Sequence, residues 1–223
     1  MFIGVGVGPG HERYLTLEAT RAIKEAQVLI FPGADKGSCR AYAIVEHIVD
    51  EANQQVLFNP FPMTMDKELL DAYHDKVASL VKGYLDKQLD VAFLTIGDAT
   101  IYSTFSYIRS RIEAAGYECK IVNGISAINA SAARLGISLA DGSEQIHIIP
   151  GSADISSTLD YKGTKVYMKS GKQLESLLEL LSQRSVSVMA VSNCGMPDEQ
   201  VYYDIGDIPT TGGYLTTVIV KDL

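Results

Sequence analysis

Gly97 and Asp98 close an apolar run, FLTIG, and Thr100, Tyr102, Ser103 and Thr104 follow at once. A buried strand that stops on a carboxylate and a cluster of hydroxyls has the composition of a ligand wall, mostly apolar with a few polar groups that set orientation. A second candidate lies at the N-terminus. There FIGVGVGPG (2–10) runs from a short apolar stretch into a loop with Gly4, Gly6, Gly8 and Gly10. Glycine at this density permits close main-chain approach, either to a ligand or to a neighbouring strand. A tight strand-to-helix turn without any ligand accounts for the same local pattern.

Three familiar chemistries do not fit these residues. A dinucleotide loop needs Gly-x-Gly-x-x-Gly, but counting from Gly4 the third position is Pro9, and counting from Gly6 it is His11. The acidic residue expected after the second strand is absent, since that strand ends Ile30-Phe31-Pro32. Gly171-Lys172 is followed by Gln173, so there is no P-loop, and Gly124-Ile125-Ser126-Ala127-Ile128 does not complete a nucleophile elbow.

The elements that must position these residues alternate. Strands are predicted at 2–10, 28–32, 54–63, 90–97 and 118–124, and helices at 15–27, 41–52, 67–88, 104–116 and 126–136 from their apolar spacing. Such alternation predicts an α/β fold with a mostly parallel N-terminal sheet covered by helices. From about residue 118 the chain becomes richer in strand-like runs, among them QIHIIPG, TKVYMKSG, SVSVMAVSN and YLTTVIVKDL, with one further helix at 172–183. Two domains are expected, 1–116 and 117–223.

Composition narrows the function. Across 223 residues the formal charge is −8, which argues against a nucleic-acid partner because phosphate binding needs a basic face. Cys39, Cys119 and Cys194 lie far apart and are expected as free thiols of a reducing cytoplasm. No leader and no apolar run of membrane-spanning length is apparent, so a cytoplasmic protein is expected. His47 and His74 fall on amphipathic helices and are expected at the surface or its boundary, whereas His147 in an apolar strand is expected to pack. No second ligand stands at metal spacing, so no protein-held metal is expected. Met63 and Met65 are expected as core filler rather than ligand contacts.

Taken together, GVGPG with LTLEATRAIKEAQVLIFP, VAFLTIGDATIYSTFSYI, IVNGISAINASAARLGISLA and VYMKSG resemble the tetrapyrrole (corrin/porphyrin) methylase family over almost the whole chain. FPM after the third strand and Tyr102-Ser103-Thr104 make it most similar to the C-20 methyltransferases, which act on precorrin-2 or cobalt-factor II in cobalamin synthesis. The resemblance implies a two-lobed α/β methyltransferase, a homodimer, using S-adenosylmethionine and releasing S-adenosylhomocysteine. Carried over by position, it implies cofactor contacts at Pro9, Ile96, Gly97, Asp98, Ile101, Ser126, Ala127, Met168 and Cys194 or Gly195. It places substrate near Gly8 and Gly10. The carboxylates of a tetrapyrrole call for cations, and Lys36, Arg40 and Lys169 are the candidates. Asp98 and Tyr102 are expected near the reacting centre. His11, Ala99 and Asn123 depart from the family pattern, which has Asp, Pro and Pro there. A methylase acting on another tetrapyrrole position, on diphthine or on rRNA is the alternative within the family, and a non-catalytic cofactor-binding protein the alternative outside it.

Overall fold

Successive residues of the first, inner strands are nearly all apolar and point alternately to two faces, each covered by a helical layer. The computed structural model describes residues 1–62, 64, 66–211 and 213–222, so Met63 and Met65 lie outside the described residues. It divides into two units, Met1–Ser126 and Ala127–Leu223.

In the first unit, β1 (Phe2–Gly6), β2 (Val28–Phe31), β3 (Gln55–Phe58), β4 (Val91–Thr95) and β5 (Cys119–Val122) form one sheet in the order β3-β2-β4-β1-β5. All its pairings are parallel. Ile3, Val5, Leu29, Phe31, Ala92 and Leu94 face one side. They pack there with Ala19, Ala22 and Ile23 of α1 (Leu17–Glu25) and with Tyr42 and Ile44 of α2 (Arg40–Val45). Phe2, Val28, Ile30, Val91 and Phe93 face the other, against Val77 and Val81 of α3 (Lys67–Leu85) and Phe105, Ile108 and Ile112 of α4 (Phe105–Ala114). Both faces are thus covered, as a parallel sheet requires. The chain leaves the neighbouring strands β1 and β4 toward opposite faces, through α1 and α4. Neighbours that part in this way define a switch point, and ligands of open α/β sheets bind at the carboxyl ends of the strands there.

Local signals set the helix starts. Thr16 caps α1, its Oγ1 accepting from Ala19 N at 3.0 Å, and Asp66 caps α3 by accepting from Glu68 N and Leu69 N at 3.0 and 3.2 Å. The helix predicted over 41–52 stops at Val45 and passes through a short 3-10 turn, Glu46–Ile48. Asp50 then accepts from Ala52 N through its side chain and from Asn53 N and Gln54 N through its carbonyl, so local turn bonds replace the helical ones.

A boundary after residue 116 would give the fifth strand to the second domain. Instead β5 hydrogen-bonds to β1 along Phe2–Val5, and the division falls after Ser126. The second unit holds α5 (Ala127–Leu135), α6 (Leu174–Ser182) and a mixed sheet ordered β6-β7-β10-β8-β9. Its strands are β6 (Ile146–Pro150), β7 (Thr164–Met168), β8 (Val186–Ser192), β9 (Gln200–Tyr202) and β10 (Thr216–Asp222). Leu174, Leu177, Leu178 and Leu181 of α6 bury one face of it against Tyr167, Ala190, Val218 and Val220.

His74 corrects one expectation. It is 6 % exposed, with its ring stacked on that of Tyr107 at 4.9 Å and 9° and near Phe61 at 5.9 Å. Helical periodicity places it on the α3 face that receives α4, and aromatic neighbours make that position tolerable for an imidazole. Burial, with Arg111 nearby, lowers its pKa below the ordinary 6.5. His47 is half-exposed and pairs with Glu12 at 3.2 Å. His147 is half-buried, with Nε2 3.0 Å from the Lys162 carbonyl.

Candidate active site

Three loops leave the carboxyl ends of β1, β4 and β5, and the first two are joined backbone to backbone. Val7 N donates to Thr95 O at 2.9 Å, Gly8 N to Gly97 O at 3.1 Å, and Gly97 N to Gly8 O at 2.8 Å. This exchange continues the β1–β4 pairing past the strand ends as a small antiparallel bridge. Gly8 and Gly97 have φ of +79° and +75°, which favours glycine at both. Gly124 presses in from the β5 side: a Cβ there would lie 2.2 Å from Gly97 O and 2.6 Å from the Gly6 carbonyl carbon. Glycine is needed here because main chains touch.

Asp98 ties the assembly together. Its Oδ1 accepts from Thr100 N at 2.7 Å and from the Thr100 hydroxyl, while Oδ2 accepts from Gly124 N at 2.9 Å and Asn123 Nδ2 at 3.3 Å. The residue is 8 % exposed. Burial alone would raise its pKa, but the bonds from Thr100, Gly124 and Asn123 outweigh burial and hold the carboxyl below its ordinary 3.8. A carboxylate so engaged is a clamp, and a poor proton acceptor at neutral pH.

The hydroxyl cluster behaves differently from a row of ligand contacts. Thr100 serves Asp98, in the turn that an Asp followed two residues later by a donor readily forms. Ser103 Oγ donates to Thr95 Oγ1 at 3.3 Å and accepts from Phe105 N at 3.2 Å, which fixes the start of α4. Those two hydroxyls are spent within the wall. Tyr102 is 40 % exposed and has a left-handed φ of +48°; burial raises its phenol pKa, so it remains a donor at neutral pH. Ile96 is half-buried against the core and Ile101 half-buried beside the Asp98 turn.

The structure therefore brings Gly8, Pro9, Gly10, Ile96, Gly97, Asp98, Ile101 and Tyr102 together on loops at one edge of the first sheet, and Ser126 follows the loop after β5. Lys36 and Arg40 follow β2, which ends at the same edge. Lys36 already pairs with Glu51 at 2.5 Å and lies over the Tyr42 ring at 5.2 Å; Arg40 is exposed at the first position of α2. In the second unit, Ala127 opens α5, and Met168 and Cys194 lie toward the same end of the other sheet. Met168 pairs with Thr217, while Ser192, two residues before Cys194, pairs with Thr216. Lys169, at φ +58°, follows Met168 and lies over the Tyr214 ring at 5.5 Å. Burial pushes the Cys194 thiol up to about 11.

The departures from the family pattern have local explanations. His11 caps a 3-10 turn, Glu12–Tyr14, its Nδ1 accepting from Arg13 N at 3.2 Å. Ala99 is buried in the core on the α4 side. Asn123 supplies a side-chain bond to Asp98, and its carbonyl accepts from Thr16 Oγ1 at 3.2 Å.

Residues 1–209 match the model of the Tetrapyrrole (Corrin/Porphyrin) Methylases. The chain belongs to that family. It is 37% identical to a probable cobalt-precorrin-2 C(20)-methyltransferase of Methanocaldococcus jannaschii, over 98% of this chain and 94% of that protein. It is 26% identical to the cobalt-precorrin-2 C(20)-methyltransferase of Salmonella typhimurium, over 97% and 94%. A solved uroporphyrin-III C-methyl transferase of Thermus thermophilus, complexed with S-adenosyl homocysteine, shares the fold with a TM-score of 0.73 at 16% identity, over 99% and 96% of the two chains. Among the described residues, no helix is long and apolar enough to cross a membrane.

Proposed function

We propose that this methylase transfers a methyl group from S-adenosylmethionine to C-20 of a precorrin-2 skeleton in cobalamin synthesis, with the cobalt-bearing form its substrate. The observation that carries this reading is the 37% identity, spanning 98% of the chain, to a relative named for that reaction. The residues present fit such a cofactor: the Gly8–Gly97 exchange fixes loops that carry Pro9 and the half-buried apolar Ile96 and Ile101, Ser126 ends the loop after β5, and the resemblance adds Ala127, Met168 and Cys194. When bound, S-adenosylmethionine supplies a methyl group already activated by the sulfonium charge. The protein's task is alignment, for which fixed geometry is worth roughly 7 to 11 kcal/mol in favourable cases. Asp98 contributes by immobilising the loops, and Tyr102 by presenting a neutral phenol at their edge. The low pKa of the one and the high pKa of the other suit neither to removing the meso proton. Lys36, Arg40 and Lys169 are proposed to meet substrate carboxylates, and the enzyme to work as a cytoplasmic homodimer.

Incubation with methyl-labelled donor and, in separate reactions, cobalt-factor II, cobalt-precorrin-2 and precorrin-2 tests the reading. Label at C-20, fastest with a cobalt-bearing substrate, is the expected result. Label at another carbon, or on none of the three, overturns it.

A further inference from the structure

Asp98 and Asn123 stand at the junction of the three loops. Through Oδ2, Asp98 holds Gly124 N and Asn123 Nδ2 of the β5 loop; through its own chain position it carries Gly97, which exchanges both main-chain bonds with Gly8 of the β1 loop. The Asn123 carbonyl is held by Thr16, the residue that caps α1. Asn123 therefore touches two of the elements that fix the site and lies on a third. The groups that face the Asp98 carboxylate are Thr100, Asn123 and Gly124, all uncharged. A neutral donor at position 123 thus decides how firmly an isolated buried carboxylate can hold the β4 and β5 loops in one geometry.

We infer that Asn123 is a positioning residue for the methyl donor, acting through Asp98. The inference rests on the functional reading above. Asn123 makes no chemical step possible; it keeps Gly97 and Gly124 in register, so its loss raises the donor's KM and leaves turnover at saturating donor nearly unchanged. Removing one bond to a buried charged group is expected to weaken binding by about tenfold.

Two variants separate this from a general loss of fold. Asn123→Ala removes the donor. Asn123→Asp puts a second carboxylate where the amide now lies 3.3 Å from Asp98 Oδ2, and two carboxylates that close cannot both ionise readily. Calorimetry with S-adenosylhomocysteine is run from pH 7.5 to 5, with melting temperature measured alongside. Expected for Asn123→Ala is about tenfold weaker binding and a kcat within about twofold of the parent. Asn123→Asp should bind more weakly still at pH 7.5 and regain affinity and melting temperature as pH falls and the pair takes up a proton. The parent should gain neither.

Equal affinity of parent and Asn123→Ala, or the same pH response in Asn123→Asp as in the parent, overturns the inference. If the parent itself failed to bind S-adenosylhomocysteine, the functional reading would fall. The opposed pH responses of the two melting temperatures would then still decide whether the Asp98–Asn123 bond holds the loops.

Discussion

Adding one methyl group at Gly124 is a direct test of the joined loops. A carbon in van der Waals contact with a carbonyl oxygen sits at about 3.3 Å, whereas the new Cβ would start 2.2 Å from Gly97 O. The shortfall is about 1 Å, and the Gly6 carbonyl carbon at 2.6 Å closes the other way out. Both neighbours are main chain, so no rotamer change relieves the clash. The β5 loop must retreat, and the 2.9 Å bond from Gly124 N to Asp98 stretches with it. Overpacking of about 1–3 kcal/mol and partial loss of a charge-assisted bond together give about 3 kcal/mol for Gly124→Ala. For a chain of this size that lowers the melting temperature by roughly 10 °C. If these loops form the proposed cofactor wall, a displacement near 1 Å should also cost about 100-fold in activity. Differential scanning calorimetry and donor-binding calorimetry read the two effects. A variant that melts within a degree or two of the parent and binds S-adenosylhomocysteine equally well would refute the backbone contact.

Gly83 lies in α3 with nothing within 4 Å of an added Cβ; Gly83→Ala should stabilise by about 0.5–1 kcal/mol, read as a higher denaturant midpoint. Because folding lowers the His74 pKa, the unfolded chain binds the extra proton first, so stability is lost as pH falls through 6.5 toward the folded value. His74→Phe should flatten that part of the melting-temperature profile. Arg111, Asp71 and Asp75, the charged groups acting on His74, remain in place in that variant. Burial raises the Cys39 thiol and pushes those of Cys119 and Cys194 up to about 11, so iodoacetamide at pH 8 should label the native chain far more slowly than the chain in denaturant.

Much of the architecture was legible along the chain because its causes are local. The spacing of apolar residues in LEATRAIKE and KELLDAYHDKVASLVKGYL is that of helices, and the buried runs FIGVG, VLIF and VAFLT have the continuous apolar character of strands covered on both faces. The family likeness reached further, because segments such as GVGPG, TIGD and NGIS keep their order and spacing whatever they touch.

Tertiary structure decided what those residues do. Nothing in the run CKIV shows that it pairs with β1 and closes the first sheet, since hydrogen-bond partners are chosen across the fold and leave no mark on the strand itself. His74 stands at helical spacing from Val77, Ala78 and Val81, but only the crossing of α4 over α3 supplies Tyr107, on whose ring a buried imidazole can stack. Thr100 and Ser103 looked like ligand contacts because hydroxyls at a strand end are available in any sequence. Their partners, Asp98 and Thr95, become evident only once the turn is formed. Gly6, Gly97 and Gly124 are far apart in the chain. Each is an ordinary turn glycine until the sheet order places β1 between β4 and β5 and leaves no room for a side chain among them.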